Sequence, residues 1–170
     1  MPAIYTTEWY DSLKELLNRS DEVADNAPRG VWNFLAEIKG DGASPYLAPA
    51  DVKRLAIAFK DGKCDSYREL VDAPPRKDFQ FILELPATLF ESIVANLADP
   101  VAEGLKGAIR ITGDMRMVMQ HAELVNILSK IYQREVNTDW PKGKPPYPAG
   151  LVARDEARNE IQQAPDTTSP

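Results

Sequence analysis

Over TTEWYDSLKELLNRS the apolar residues Trp9, Leu13, Leu16 and Leu17 recur at helical spacing, with Thr6 or Thr7 placed to cap the start. The pattern predicts an amphipathic helix, which DEVADNAPRG extends by a turn until Pro28 and Gly30 stop it. The spacing then changes to alternation. In VWNFLAEIKGD the residues Trp32, Phe34, Ala36 and Ile38 share one strand face, and in VKRLAIAFK so do Leu55, Ile57 and Phe59. Asp61-Gly62 is a tight-turn signal, so the second strand folds back as a hairpin into KCDSYRELV. The Gly/Pro-rich GDGASPYLAPAD between the first two strands reads as a loop.

A second turn cluster, DAPPRKD, precedes FQFILEL, where Phe79, Phe81, Leu83 and Leu85 alternate with Gln80, Ile82 and Glu84. Pro86 suits the first position of a helix, ATLFESIVANL, whose Leu89, Phe90, Ile93, Val94 and Leu97 form a broad apolar stripe. Asp99 and Pro100 read as the cap and first residue of a short helix, VAEGLKG. In GAIRITGD, Ile109 and Ile111 lie on one strand face and Arg110 and Thr112 on the other. Asp114 then caps a long helix striped by Met117, His121, Leu124, Leu128 and Ile131. Helix, strands, two helices, one strand and a final long helix together predict an α+β fold with helices covering one sheet face.

Past Glu135 the character changes, because VNTDWPKGKPPYPAG is dense in proline and glycine and the last twenty residues are polar. The expected organisation is one domain over 1–135 and a Pro-rich polar tail over 136–170, largely loop, with a short surface helix possible only over 151–163.

A chain of 170 residues fits that plan, one domain plus tails. A net charge of −6 excludes nucleic acid as the expected partner, since phosphate binding needs a basic field. No run is long and apolar enough to span a bilayer, and MPAIYTTEWYD lacks secretory-signal features, so no stable membrane insertion is expected. One cysteine, Cys64, allows neither an internal disulfide nor a cysteine-rich zinc site, and the cytoplasm is the expected location. Asp41, Asp51, Asp61, Asp65 and Asp72 fall in or near loops and read as solvated turns. With a single histidine and no nucleophile order or phosphate-cradling loop, the sequence points to no catalytic residue, no metal and no cofactor.

The run FQFILELPATLFESIVANLADPVAEGLKGAIRITGDMRMVMQHAELVNIL resembles the second half of a sterol carrier protein type 2 domain. That family shows a strand, a helix holding a Phe and a Leu, and a short helix with D-P and G positions. A G-x-I-x-I-x-G-D strand then runs into a helix, read here as Gly107, Ile109, Ile111, Gly113 and Asp114. The resemblance covers about residues 8 to 133 and is strongest after Phe79. It implies a five-stranded, mostly antiparallel sheet with helices packed on one face, enclosing a hydrophobic tunnel for a sterol, fatty acid or fatty acyl chain. It implies a binding and transfer module without shared catalytic residues. TTSP is not the Ser-Lys-Leu type of peroxisomal address, so a soluble bacterial-type member is expected.

On that reading the ligand-lining side chains are Phe81, Leu83, Phe90, Ile93, Val94, Leu97, Ile109 and Ile111, joined by Met115, Met117 and Met119 as adaptable wall residues. A guest burying roughly 300 to 400 Å² would gain about 8 to 10 kcal/mol gross, before ordering costs. Each position also fits ordinary core packing, and His121 on its apolar stripe fits a hydrogen-bonded core residue. Two other functions fit the same residues. In one, His121 with Asp114 or Glu123 handles a proton on an apolar substrate. In the other, WPKGKPPYP offers a polyproline segment to a protein partner. Oligomeric state is not legible.

Overall fold

Thr6 opens the first helix, its hydroxyl accepting from the Trp9 backbone N–H at 3.3 Å. Helix α1 runs Thr7–Arg19 and buries Trp9, Tyr10, Leu13 and Leu17. The continuation expected over DEVADN is instead a separate helix, α2, Asp21–Asn26. The break is at Ser20, which takes extended backbone angles and caps α2 by accepting from Val23 N–H, so a capping side chain ends one helix and starts another. The computed structural model describes residues 1–148; the possible helix over 151–163 lies outside them.

Strands β1 (Val31–Lys39), β2 (Val52–Lys60), β3 (Lys63–Leu70), β4 (Phe81–Pro86) and β5 (Arg110–Gly113) form one sheet in the order β3-β2-β1-β4-β5. Only the β1–β4 pair is parallel. The fold is therefore α+β with a mostly antiparallel five-stranded sheet. The β2–β3 hairpin turns at Asp61 (φ 48°) and Gly62 (φ 85°), the paired positive dihedrals of a type I′ turn. To reach β4 from the β3 edge, residues 71–80 must pass β2 and β1. Arg76 bonding Glu37 at 2.6 Å, and the Gln80 carboxamide oxygen accepting from Asn33 N–H, tie this crossing to the sheet's outer face. Leu35 and Ile82 are buried on that face.

The helices take the inner face: α3 (Ala87–Val94), α4 (Pro100–Leu105), α5 (Met115–Gln120) and α6 (Ala122–Arg134). Pro86 is not inside α3 but ends β4 and serves as the N-cap, its backbone extended (ψ 148°). Asp99 caps α4 with Pro100 at its first turn, and Asp114 caps α5 by accepting from Arg116 and Met117 N–H. The single long helix expected after Asp114 is two helices. His121 (φ −111°, ψ 34°) leaves helical geometry and turns the chain between α5 and α6, with no Gly or Pro to announce it.

The start of the Pro-rich segment is loop, and it is fastened to the domain. Asp139 pairs its backbone with Pro2 and Ile4, Thr138 accepts from the Trp9 indole N–H at 2.9 Å, and Trp140 packs edge-on against Tyr46. Pro145 is buried and the Tyr147 hydroxyl donates to Glu91.

Candidate functional site: an apolar cavity over the sheet

Strand pairing places the inner-face side chains in rows. Tyr67, Ile57, Phe34 and Phe81 sit side by side across β3, β2, β1 and β4, and beside them run Leu55, Ala36, Leu83 and Ile111. Phe34 stacks on Phe81 with centroids 5.5 Å apart, Trp32 stacks on Phe81 at 6.3 Å, and Phe59 meets Phe34 edge-on at 5.8 Å. Rings in such contact are mutually braced, so they make a firm floor. Gly113 stands opposite Phe81 with φ 147°, and a Cβ there would lie 2.5 Å from the Phe81 ring. The Gly-Asp corner therefore leaves room for an aromatic floor residue and begins α5 at once.

Above this floor α6 does not settle onto the sheet. Gln133 donates to the Ala98 carbonyl at 2.9 Å, and the Tyr132 and Tyr67 hydroxyls meet at 2.9 Å, so the C-terminal half of α6 is held at a fixed height. The space left is a cavity of about 300 Å³. Its walls are Phe90 and Ile93 of α3, Pro100 of α4, Leu17 of α1, Met117 and Val118 of α5, and Leu124, Val125 and Leu128 of α6. Among the described residues no lysine, arginine, aspartate or glutamate lines it.

Seven of the side chains singled out in the sequence meet at this cavity: Phe81, Leu83, Phe90, Ile93, Ile109, Ile111 and Met117. The other four do not. Val94 is buried in the adjoining core. Leu97 is 56% exposed, because α3 stops at Val94 and Asn96 takes a positive φ, which ends the helical stripe before Leu97 is reached. Met115 and Met119 are exposed on the outside of α5. At about 100° per residue, positions i and i+4 share one face while i+2 points away, so only Met117 turns inward.

The sequence reading left out Trp32, Phe34, Ala36, Leu55, Ile57, Phe59 and Tyr67, although strand alternation is a signal that could have found most of them. His121 also lines the cavity, and it is not the hydrogen-bonded core residue expected, since no imidazole hydrogen bond exists among the described residues. Asp114 spends its carboxylate on capping α5, and Glu123 is exposed. Cys64 is buried on β3, where desolvation pushes its thiol up to about 11.

Beside the cavity, α3 is pinned by a buried carboxylate that no local pattern announces. Glu91, 0% exposed, accepts from Tyr5 Oη at 2.6 Å, Ser44 Oγ at 2.9 Å and the Tyr147 hydroxyl. The N-terminus, the β1–β2 loop and the chain after α6 are thereby joined to the helix that supplies Phe90 and Ile93. Asp41, expected in a solvated turn, caps the same helix by accepting from Thr88 N–H at 3.0 Å. Partial burial works against its charge, but hydrogen bonds from Thr88, Ala43 and Ser44 outweigh this and hold it below the usual carboxylate range.

For Glu91 desolvation wins over its three hydroxyl donors and raises its pKa. A carboxyl whose folded pKa lies above its unfolded value binds more protons folded than unfolded between the two. Its contribution is fully present below about 4.5, the ordinary glutamate value, and is lost as pH rises through the folded pKa. Denaturant melts of the protein and of Glu91→Gln across this range should show the native chain losing stability relative to the variant as pH rises. Parallel curves would contradict the assignment.

No protein-family model and no curated protein matches this sequence. Solved structures do. The crystal structure of a sterol carrier protein 2 aligns at TM-score 0.64 and 13% identity, covering 77% of this chain and 98% of that one. A conserved hypothetical protein from Thermus thermophilus, with a suggested sterol-carrier assignment, aligns at 0.62 and 15% identity, covering 84% and 96%. The chain has the sterol carrier protein 2 fold. At these identities the agreement is one of architecture, and it spans most of this chain and nearly the whole of the other two. Within the sterol carrier fold, this chain's cavity sits between the inner sheet face and α5–α6. Among the described residues no helix is long and apolar enough to cross a membrane, and no cluster of metal-binding side chains occurs.

Proposed function

We propose that this protein binds an apolar guest, such as a fatty acyl chain, fatty acid or sterol, in the cavity over the sheet and carries or presents it. The observation that carries the reading is the cavity itself: about 300 Å³ with apolar walls and, among the described residues, no charged side chain. An apolar hollow of that size forgoes dispersion contacts that a filled interior would make. A guest recovers part of this by restoring dispersion contacts and removing its own apolar surface from water. At roughly 30 Å³ per water-sized group, the space takes on the order of ten such groups. A medium alkyl chain fits it as it stands, whereas a sterol skeleton would need the walls to give.

The protein-interaction alternative is not favoured, because Trp140, Pro145 and Tyr147 are engaged with their own domain. A fluorescent polyene alcohol titrated into the protein should brighten saturably at one probe per chain and be displaced by an unlabelled medium-chain alcohol. A probe that stays dark at all protein concentrations would refute the reading.

A further inference from the structure

Most polar groups at the cavity wall are already used. Ser129 Oγ donates to the Val125 carbonyl at 2.8 Å, and the Trp32 indole N–H donates to the Arg29 carbonyl at 2.9 Å. The exceptions are His121 near α5 and the Tyr67–Tyr132 pair at the β3 edge, the opposite end of the sheet from β5 and α5. Tyr67 is 5% exposed, so its hydroxyl has little access to bulk water.

A proton count shows what this pair lacks. Each phenol carries one proton and accepts through its oxygen. In the mutual contact of 2.9 Å one hydroxyl donates and the other accepts, so the accepting hydroxyl keeps its own proton. Neither oxygen has another partner among the described residues. One O–H donor and free lone pairs are therefore left at a part-buried place on the apolar wall, where an unpaired polar group is costly. The Tyr10 ring stacks on Tyr67 at 5.9 Å, but its hydroxyl is spent on Glu69.

We propose that the Tyr67–Tyr132 hydroxyl pair is the head-group subsite of the cavity, selecting an amphiphile with a neutral hydroxyl or carbonyl head over one with an ionised carboxylate. This rests on the apolar-guest reading and narrows its ligand class. A ligand hydroxyl accepts the spare O–H and donates its own proton to a free lone pair, and a carbonyl satisfies the first of these. A carboxylate could accept the same proton, but its charge would sit in a cavity whose wall, among the described residues, has no lysine or arginine to compensate it. The tail then lies along the aromatic floor toward Ile111 and Met117. Along α6, His121 and Tyr132 are separated by roughly 16 Å at about 1.5 Å per residue, a span suited to one medium chain.

The test compares 1-decanol, decanoate and 1-bromodecane on the full chain at neutral pH, read by calorimetry and by tryptophan fluorescence, to which Trp32 on the cavity wall contributes. Decanol is expected to bind at least tenfold tighter than decanoate. In Tyr67→Phe/Tyr132→Phe decanol should weaken about tenfold while bromodecane stays within about twofold, since only the hydroxyls are removed. The double variant is used because either single variant leaves one free hydroxyl able to serve. Decanoate binding as tightly as decanol, the result expected if His121 takes the head, overturns the proposal. So does an unchanged decanol affinity in the double variant. If the double variant does not fold, the wild-type comparison of decanol with bromodecane decides: decanol binding more weakly than bromodecane overturns the proposal. Failure of decanol and bromodecane alike to bind would instead overturn the apolar-guest reading itself.

Discussion

Replacing Glu91 with alanine should destabilise the protein by about 3 kcal/mol, lowering the melting midpoint by roughly 10 °C. The reason is topological as much as energetic. One carboxylate gathers Tyr5, Ser44 and Tyr147 onto α3, so three segments distant in sequence lose their common acceptor together. The Tyr5 ring also stacks on Phe90 at 5.9 Å and meets Trp9 and Tyr46 edge-on, so its displacement disturbs the aromatic cluster behind the cavity wall. Desolvation already taxes the ionised carboxylate, which is why the expected loss is below that of a fully favourable buried charge. Glu91→Gln, which keeps one acceptor, should cost about 1 kcal/mol. Thermal melts of the two variants check this, and a Glu91→Ala protein within about 1 kcal/mol of wild type by the same melts would show that the cluster contributes little.

The second large effect is on binding. Leu128 lines the cavity from α6, and Leu128→Trp should weaken capture of a fluorescent polyene alcohol more than tenfold while leaving the melting midpoint equal or higher, because filling a void stabilises. Leu105→Trp is the matched control, since Leu105 is 86% exposed at the end of α4 and an indole there should change neither property. Equal probe affinity in the two variants would mean that the guest lies elsewhere.

How much of this was legible in the sequence depends on the kind of signal. Strand alternation carried the sheet well: the inner faces of β1, β2 and β4 are the residues whose spacing placed them together, and the Asp61-Gly62 hairpin folds as its residues require. Capping chemistry at Thr6, Asp99 and Asp114 marked three helix starts. Reading stopped where tertiary contacts overrule local pattern. His121 breaks a continuous helical stripe without any breaker residue, and Ser20 splits what periodicity would join. Met115 and Met119 were grouped with Met117 by composition, although helical rotation sends them outward. Glu91 looked like an ordinary polar residue on an amphipathic helix, because its partners lie 86, 47 and 56 positions away along the chain. The Tyr67–Tyr132 contact is equally long-range, and only β3 meeting α6 reveals it.

The most direct test of a guest-holding cavity is native mass spectrometry of the full chain, gently desolvated, beside the same sample under denaturing conditions. Native peaks carrying one apolar molecule per chain are expected, acquired during expression or on adding medium-chain lipid, and absent from Leu128→Trp. A wild-type protein that shows only its bare mass before and after exposure to lipid would contradict a guest-holding role.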